Sequence, residues 1–274
     1  MKLIETKAFE QEIFAAAHNR ELKTLIHPAL VVIDMINDGC SKGGVFEKLG
    51  FDISGFKNII PSIIKLAHFF KGEGWPIYYV TSFYNKELLP TTMSEFIENL
   101  IPADLELAAM GSWGSQIIAE LPNLNDYTVI KSHYSCFVPG YSAVLSKDNY
   151  NKYFAAGNIN LGLLRSSYKT ALELPTATRI VNQGNASILG TLDHVFKKQG
   201  IDSVFLTGGS THVCLASAVY SAFERGFRIV LPVDAIASED RVKHWIYLHN
   251  FMMFNCDVIT VERFCRGQNS CGRR

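Results

Sequence analysis

The feature that most limits the fold is the run Ala29-Leu-Val-Val-Ile-Asp34. A continuous β-branched stretch has no polar face, so it fits a strand covered on both sides, as in a parallel sheet. The pattern around it repeats. Asn58–Lys71 places apolar residues at helical spacing and stops at Gly72 and Gly74, before the strand-like Trp75-Pro-Ile-Tyr-Tyr-Val-Thr81. Further strands are predicted at 127–131, 203–208, 227–234 and 257–261. Helices are predicted at 114–121, 189–199 and 211–225, the last two closed by Gly200 and Gly226. Six strands alternating with helices predict an α/β fold, a doubly wound, mostly parallel six-stranded sheet with helices on both faces.

The length of 274 residues fits a single domain, with a core over about 27–262 and short extensions at both ends. Periodicity fails between Val138 and Gln183, a stretch with Asn149, Asn151, Asn158 and Asn160, several aromatics and no clear strand. It reads as a long insertion after the third strand, a lid or an oligomer contact. The tail from Cys265 to Arg274 reads as disordered. Lys plus Arg and Asp plus Glu are 26 each, so no net field exists to hold nucleic acid or an anionic membrane. The first 22 residues carry seven charges and lack the apolar core of a signal peptide, and no apolar run is long enough to span a bilayer. These features predict a cytoplasmic protein that binds neither nucleic acid nor membrane. Cys40, Cys136, Cys214, Cys256, Cys265 and Cys271 form no C-x-x-C pair and read as reduced thiols.

In a doubly wound sheet the chemistry collects beyond the C-terminal strand ends, where Asp34, Lys131 and Cys214 stand. Within Thr207-Gly-Gly-Ser-Thr-His-Val-Cys214, the glycines allow a tight turn, and Ser210 or Thr211 can cap the following helix. Cys214 then lies in the first helical turn, where the helix N-terminus and the Lys131 ammonium are expected to lower its pKa and favour a nucleophilic thiolate. Asp34 can carry the thiol proton to a leaving group, and backbone N–H groups at the helix start can hold an oxyanion. Taken singly, each residue has a common structural role: a small buried thiol, a turn carboxylate, a solvated or paired ammonium. Trp113 and Tyr134 are candidates for an aromatic pocket, or for core or interface. His212 is a candidate substrate contact, or an exposed first-turn side chain.

Together these segments resemble the isochorismatase-like cysteine hydrolase superfamily, which includes nicotinamidases, carbamoylsarcosine and ureidoacrylate amidohydrolases, and isochorismatases. Four anchors carry the resemblance: residues 29–38, Gly111-Ser-Trp-Gly114, residues 127–137 and residues 206–238. It implies an Asp34-Lys131-Cys214 triad, a cis peptide between Gly209 and Ser210, and an oxyanion hole made by the N–H groups of Ser210 and Cys214. Ile36 and Gly39 stand where many members have Gln and an aromatic. Nicotinamidases hold a metal through Asp-x-His. No such motif occurs here, and His68 and His133 lack partners at ligand spacing, so no metal and no cofactor are expected. Three functions remain open. One is hydrolysis of a C–N bond in a small amide, carbamoyl or ureido compound through a cysteine thioester. Another is vinyl ether hydrolysis of the isochorismatase type through Asp34 and Lys131. The third is a non-catalytic oligomeric binding protein, and a homo-oligomer is expected in any case.

Overall fold

Pro28–Ile33 forms strand β1 with every residue buried, as a run without a polar face requires. In this computed structural model, which describes residues 3–19, 25–84, 89–138, 142–154, 188–254 and 256–271, seven more strands follow. They are β2 (Ile77–Ser82), β3 (Tyr127–Lys131), β4 (Ser142–Ser146), β5 (Ile188–Gly190), β6 (Ser203–Gly208), β7 (Arg228–Pro232) and β8 (Asp257–Ile259). All eight join one sheet in the order β5-β4-β3-β2-β1-β6-β7-β8. The order reverses between β1 and β6, which pair in parallel from Pro28↔Ser203 to Ile33↔Gly208, so a crevice opens beyond Ile33 and Gly208.

Helices cover both faces, and the side chains of β1 show how. Ala29, Val31 and Ile33 point into a core shared with α1 (Leu3–Asn19), α4 (Leu192–Gln199), α5 (Ala216–Glu224) and α6 (Arg241–Met253). Leu30 and Val32 point the other way, toward α2 (Ser54–Gly72) and α7 (Val261–Cys271). The amphipathic α2 buries Phe56, Ile59, Ile63, Leu66, Ala67 and Phe70, as its spacing predicts. A further helix, α3 (Thr91–Leu100), buries none of its residues.

The sheet has eight strands where six were expected, because β4 and β5 extend it antiparallel beyond β3. β4 lies inside the stretch read as a strandless insertion; of that stretch, residues 139–141 and 155–183 lie outside the described residues. The expected helix at 114–121 is absent. Its backbone bonds go sideways instead, Asp38 N–H to Gly114 O and Ile118 N–H to Met35 O, with an isolated bridge between Ile36 and Ile117. Residues 265–271 of the tail read as disordered are helical in α7, with Cys265 buried, and residues 272–274 lie outside the described residues. The N-terminal extension is a helix that buries Ile13 and Ala17. Among the described residues, no helix is long and apolar enough to cross a membrane.

Candidate active site

Three neighbouring strands end at one place and bring their last residues together. Asp34 follows β1, Ser82 ends β2, and Lys131 ends β3 in register with Ser82. Asp34 takes φ 50°, a left-handed conformation that costs a non-glycine residue energy and is held by the surrounding sheet. Its Oδ2 lies 2.7 Å from Lys131 Nζ, and its Oδ1 accepts a hydrogen bond from Ser82 Oγ at 2.9 Å. Lys131 is fully buried and also donates to Ser82 Oγ at 2.7 Å and to the His133 carbonyl at 3.1 Å. Ser82 therefore accepts from the lysine and donates to the aspartate, tying the ion pair across the intervening strand. Burial alone pulls the Lys131 ammonium down, but Asp34, with Cys214 and Tyr84, more than reverses it, so its pKa lies above the ordinary lysine value.

Cys214 reaches the same point from the turn after β6. Gly208 has φ 90°, and a Cβ there would overlap the carbonyl oxygen of Ile33. A Cβ on Gly209 would stand 2.7 Å from Ala237 O and overlap Phe56. The peptide bond between Gly209 and Ser210 is cis. Gly209 N–H donates to Ile33 O at 2.9 Å and Thr211 N–H to Ala237 O at 3.0 Å, so the turn is fixed from both neighbouring segments. A π-helical turn, Thr211–Leu215, then leads into α5 and places Cys214 Sγ 3.4 Å from Lys131 Nζ. The thiol also hydrogen-bonds Asp34, and burial together with that carboxylate pushes its pKa up, against the pull of Lys131. This reverses the lowering expected from a helix N-terminus and an ammonium: the ammonium is shared with Asp34, and the thiol is almost fully enclosed.

These side chains open into a cavity of about 550 Å³ lined by Asp34, Ser82, Tyr84, Tyr134, His212 and Cys214, and also by Ile36 and Gly39. Tyr134 and His212 thus reach the cavity, whereas Trp113 does not line it. The Trp113 side chain is half exposed, and its carbonyl accepts from Asn37 Nδ2 at 2.8 Å. In the same cavity lining Ser210 Oγ donates to Glu239 Oε2 at 2.6 Å, and His212 Nε2 lies 3.5 Å from Glu239 Oε1. Burial holds the His212 imidazole below its ordinary pKa, although Glu239 opposes this. Behind the turn, Thr211 Oγ1 donates to Ala237 O at 2.8 Å and so accepts from His244 Nδ1 at 2.7 Å.

Ser82 and Glu239 went unnamed in the sequence reading. Ser82 carried a usable signal, since it ends a parallel strand as Lys131 does; Glu239 lies in the loop after β7, where no pattern marks it. Among the described residues no three His, Cys, Asp or Glu side chains gather as metal ligands. His68 is exposed on α2, and the His133 carbonyl accepts from Lys131 Nζ.

The chain is 24% identical over 251 residues to the ureidoacrylate amidohydrolase RutB of Agrobacterium fabrum, covering 86% of this chain and 88% of that one. Its fold is similar to an isochorismatase-like hydrolase from Alkaliphilus metalliredigens, with a TM-score of 0.56 at 21% identity over 89% of this chain and 97% of the other. It is also similar to N-carbamoylsarcosine amidase from Thermoplasma acidophilum, with a TM-score of 0.54 at 19% identity over 86% and 98%. The family model for the isochorismatase domain matches residues 28–159 and 169–263, a span that holds every strand of the sheet together with Asp34, Lys131 and Cys214, and the chain belongs to that family.

Proposed function

We propose that this chain is a cysteine hydrolase that cleaves a C–N bond in a small amide, carbamoyl or ureido compound. The observation that carries the reading is the meeting of thiol, ammonium and carboxylate at the floor of one cavity. The thiol of Cys214 is protonated at rest, because burial and Asp34 raise its pKa. As Sγ attacks the substrate carbonyl carbon, Asp34 takes the thiol proton, and the N–H groups of Ser210 and Cys214 receive the developing oxyanion. Collapse breaks the C–N bond, and Asp34 returns the proton to the departing nitrogen, leaving a thioester on Cys214. Water then attacks the thioester, giving its proton to Asp34, which passes it to the sulfur as the acid or carbamate product leaves. Lys131 holds Asp34 in place through this cycle and faces the sulfur as charge develops on it.

Two relatives support the chemistry, one named a ureidoacrylate amidohydrolase and the other an N-carbamoylsarcosine amidase. The test is a screen of ammonia release over small amides and ureido compounds, with isochorismate assayed separately. Ammonia release sustains the proposal. Turnover of isochorismate with no amide hydrolysed would move the assignment to the ether hydrolase.

A further inference from the structure

The cavity has an apolar wall that the proposed attack on a carbonyl does not use. Helix α3 carries Phe96, Ile97 and Leu100 on one face and buries none of them; Phe96 is 52% exposed and Leu100 41%. That face is exposed, and all three of its side chains line the cavity that contains Cys214. Phe46, Phe56 and Leu107 line the same cavity. Among the described residues, the apolar face of this amphipathic helix meets the cavity rather than a buried core. A second cavity of about 780 Å³ adjoins the first and shares Tyr84, Ile97 and Leu107 with it, so the space continues past α3, where Glu98 and Glu106 also line it.

The charges around this space have one sign in excess. Asp34, Glu239 and Asp240 line the cavity; among the described lining residues Lys243 is the cation, and it is paired with Asp240 at 3.2 Å. Asp240 also occupies the N-terminus of α6, accepting from the N–H groups of Val242 and Lys243. His212 adds no charge at neutral pH, since burial favours its neutral form. Lys131 matches Asp34 and Lys243 matches Asp240, so the excess anion that a carboxylate carried into this space would meet is Glu239, whose partners are Ser210 and the neutral His212.

Building on the amidohydrolase reading, we propose that the substrate is an uncharged amide or ureido compound with an aromatic or branched alkyl tail. The tail seats against Phe96, Ile97 and Leu100, and a carboxylate in the same place is disfavoured. Cys214 attacks the carbonyl at the cavity floor while the tail covers the apolar face of α3. The wall thus selects substrates without touching the reacting atoms.

The test uses three primary amides on the full chain: 3-phenylpropanamide, acetamide without the tail, and succinamate with a carboxylate in place of the ring. The expected kcat/KM for 3-phenylpropanamide is about a hundredfold above the other two, given about tenfold or more per well-buried apolar group. In Phe96→Ser and in Leu100→Ser the ratio of 3-phenylpropanamide to acetamide falls about tenfold. Succinamate or acetamide turned over as well as 3-phenylpropanamide, or a ratio unmoved in both variants, overturns the proposal. If no amide is hydrolysed, the amidohydrolase reading fails, and the wall is judged separately by calorimetry of the three compounds with the Cys214→Ala protein. Tighter binding of 3-phenylpropanamide then sustains the apolar subsite, and equal binding or none overturns it.

Discussion

Lys131 Nζ stands 2.7 Å from Asp34 Oδ2 although the two residues leave strands that are not neighbours, and Ser82 at the end of the strand between them bonds to both. The pair is almost wholly enclosed, so removing one partner leaves a charge without compensation. Lys131→Met is expected to destabilise the fold by about 3–5 kcal/mol in urea denaturation and to lower turnover at least a hundredfold. The folded pKa of Lys131 is raised, so its contribution is complete below the unfolded lysine value of about 10.4 and is lost only as pH rises beyond it. The stability gap between wild type and variant should therefore stay level from about pH 7 to 9. A gap that shrinks in that window would contradict the pairing.

Cys214 should be a slow thiol at rest. An ordinary cysteine is a few per cent thiolate at pH 7, and burial with the Asp34 carboxylate leaves Cys214 with less. Iodoacetamide is expected to label Cys214 more slowly than free cysteine at pH 7, with the rate climbing as pH rises. Asp34→Asn removes the opposing charge and should speed labelling while abolishing turnover. Peptide mapping after brief labelling reads both effects, and faster labelling of wild-type Cys214 than of free cysteine would refute the electrostatic picture.

The pH dependence of stability should also show His244. Burial, with Arg241 and His212 beside it, pulls its pKa down to about 4. The unfolded chain binds this proton from about pH 6.5 downward and the folded chain does not, so stability is full above that value and lost as pH falls toward about 4. The loss amounts to about 3 kcal/mol over the window. His244→Gln keeps a donor for Thr211 Oγ1 and should flatten the acid limb of stability against pH, and an unchanged limb in that variant would remove His244 as its cause.

Much of this site was legible because buried parallel strands announce themselves. The run Ala29–Ile33 and the segments ending at Lys131 and Gly208 have few polar interruptions, and the rule that chemistry gathers at strand ends then joins Asp34, Lys131 and the Cys214 turn. What escaped lacks such a signal. Ser142–Ser146 is short, flanked by serines and paired antiparallel near the sheet edge, and β5 has only three residues, so their pairing with β3 and each other decides them more than their composition. The segment 114–121 has apolar residues at helical spacing, but Gly114 lies against the Asp38 carboxylate, where a Cβ would overlap, and backbone pairing with 35–38 prevails over helix. Helix α3 went unseen because its apolar residues serve the cavity rather than the core.

The turn after β6 should tolerate no side chain at its first glycine. Gly208→Ala combines φ 90° with overlap against Ile33 O and is expected to cost about 3 kcal/mol or more. Gly226→Ala also sits at positive φ, 78°, but has open space around its Cβ and should cost about 1 kcal/mol, a fall in Tm of roughly 3 °C. Thermal unfolding of the two variants separates strain from collision. Equal losses would mean that the close approach to β1 carries no weight.

A covalent bond from Cys214 to the substrate makes the kcat/KM of Cys214→Ala, on an amide that the wild type hydrolyses, the decisive measurement. The account predicts a fall of at least about a thousandfold, with the folded sheet intact by circular dichroism. A kcat/KM equal to that of the wild type would contradict it and leave Asp34 and Lys131 to act without a thiol.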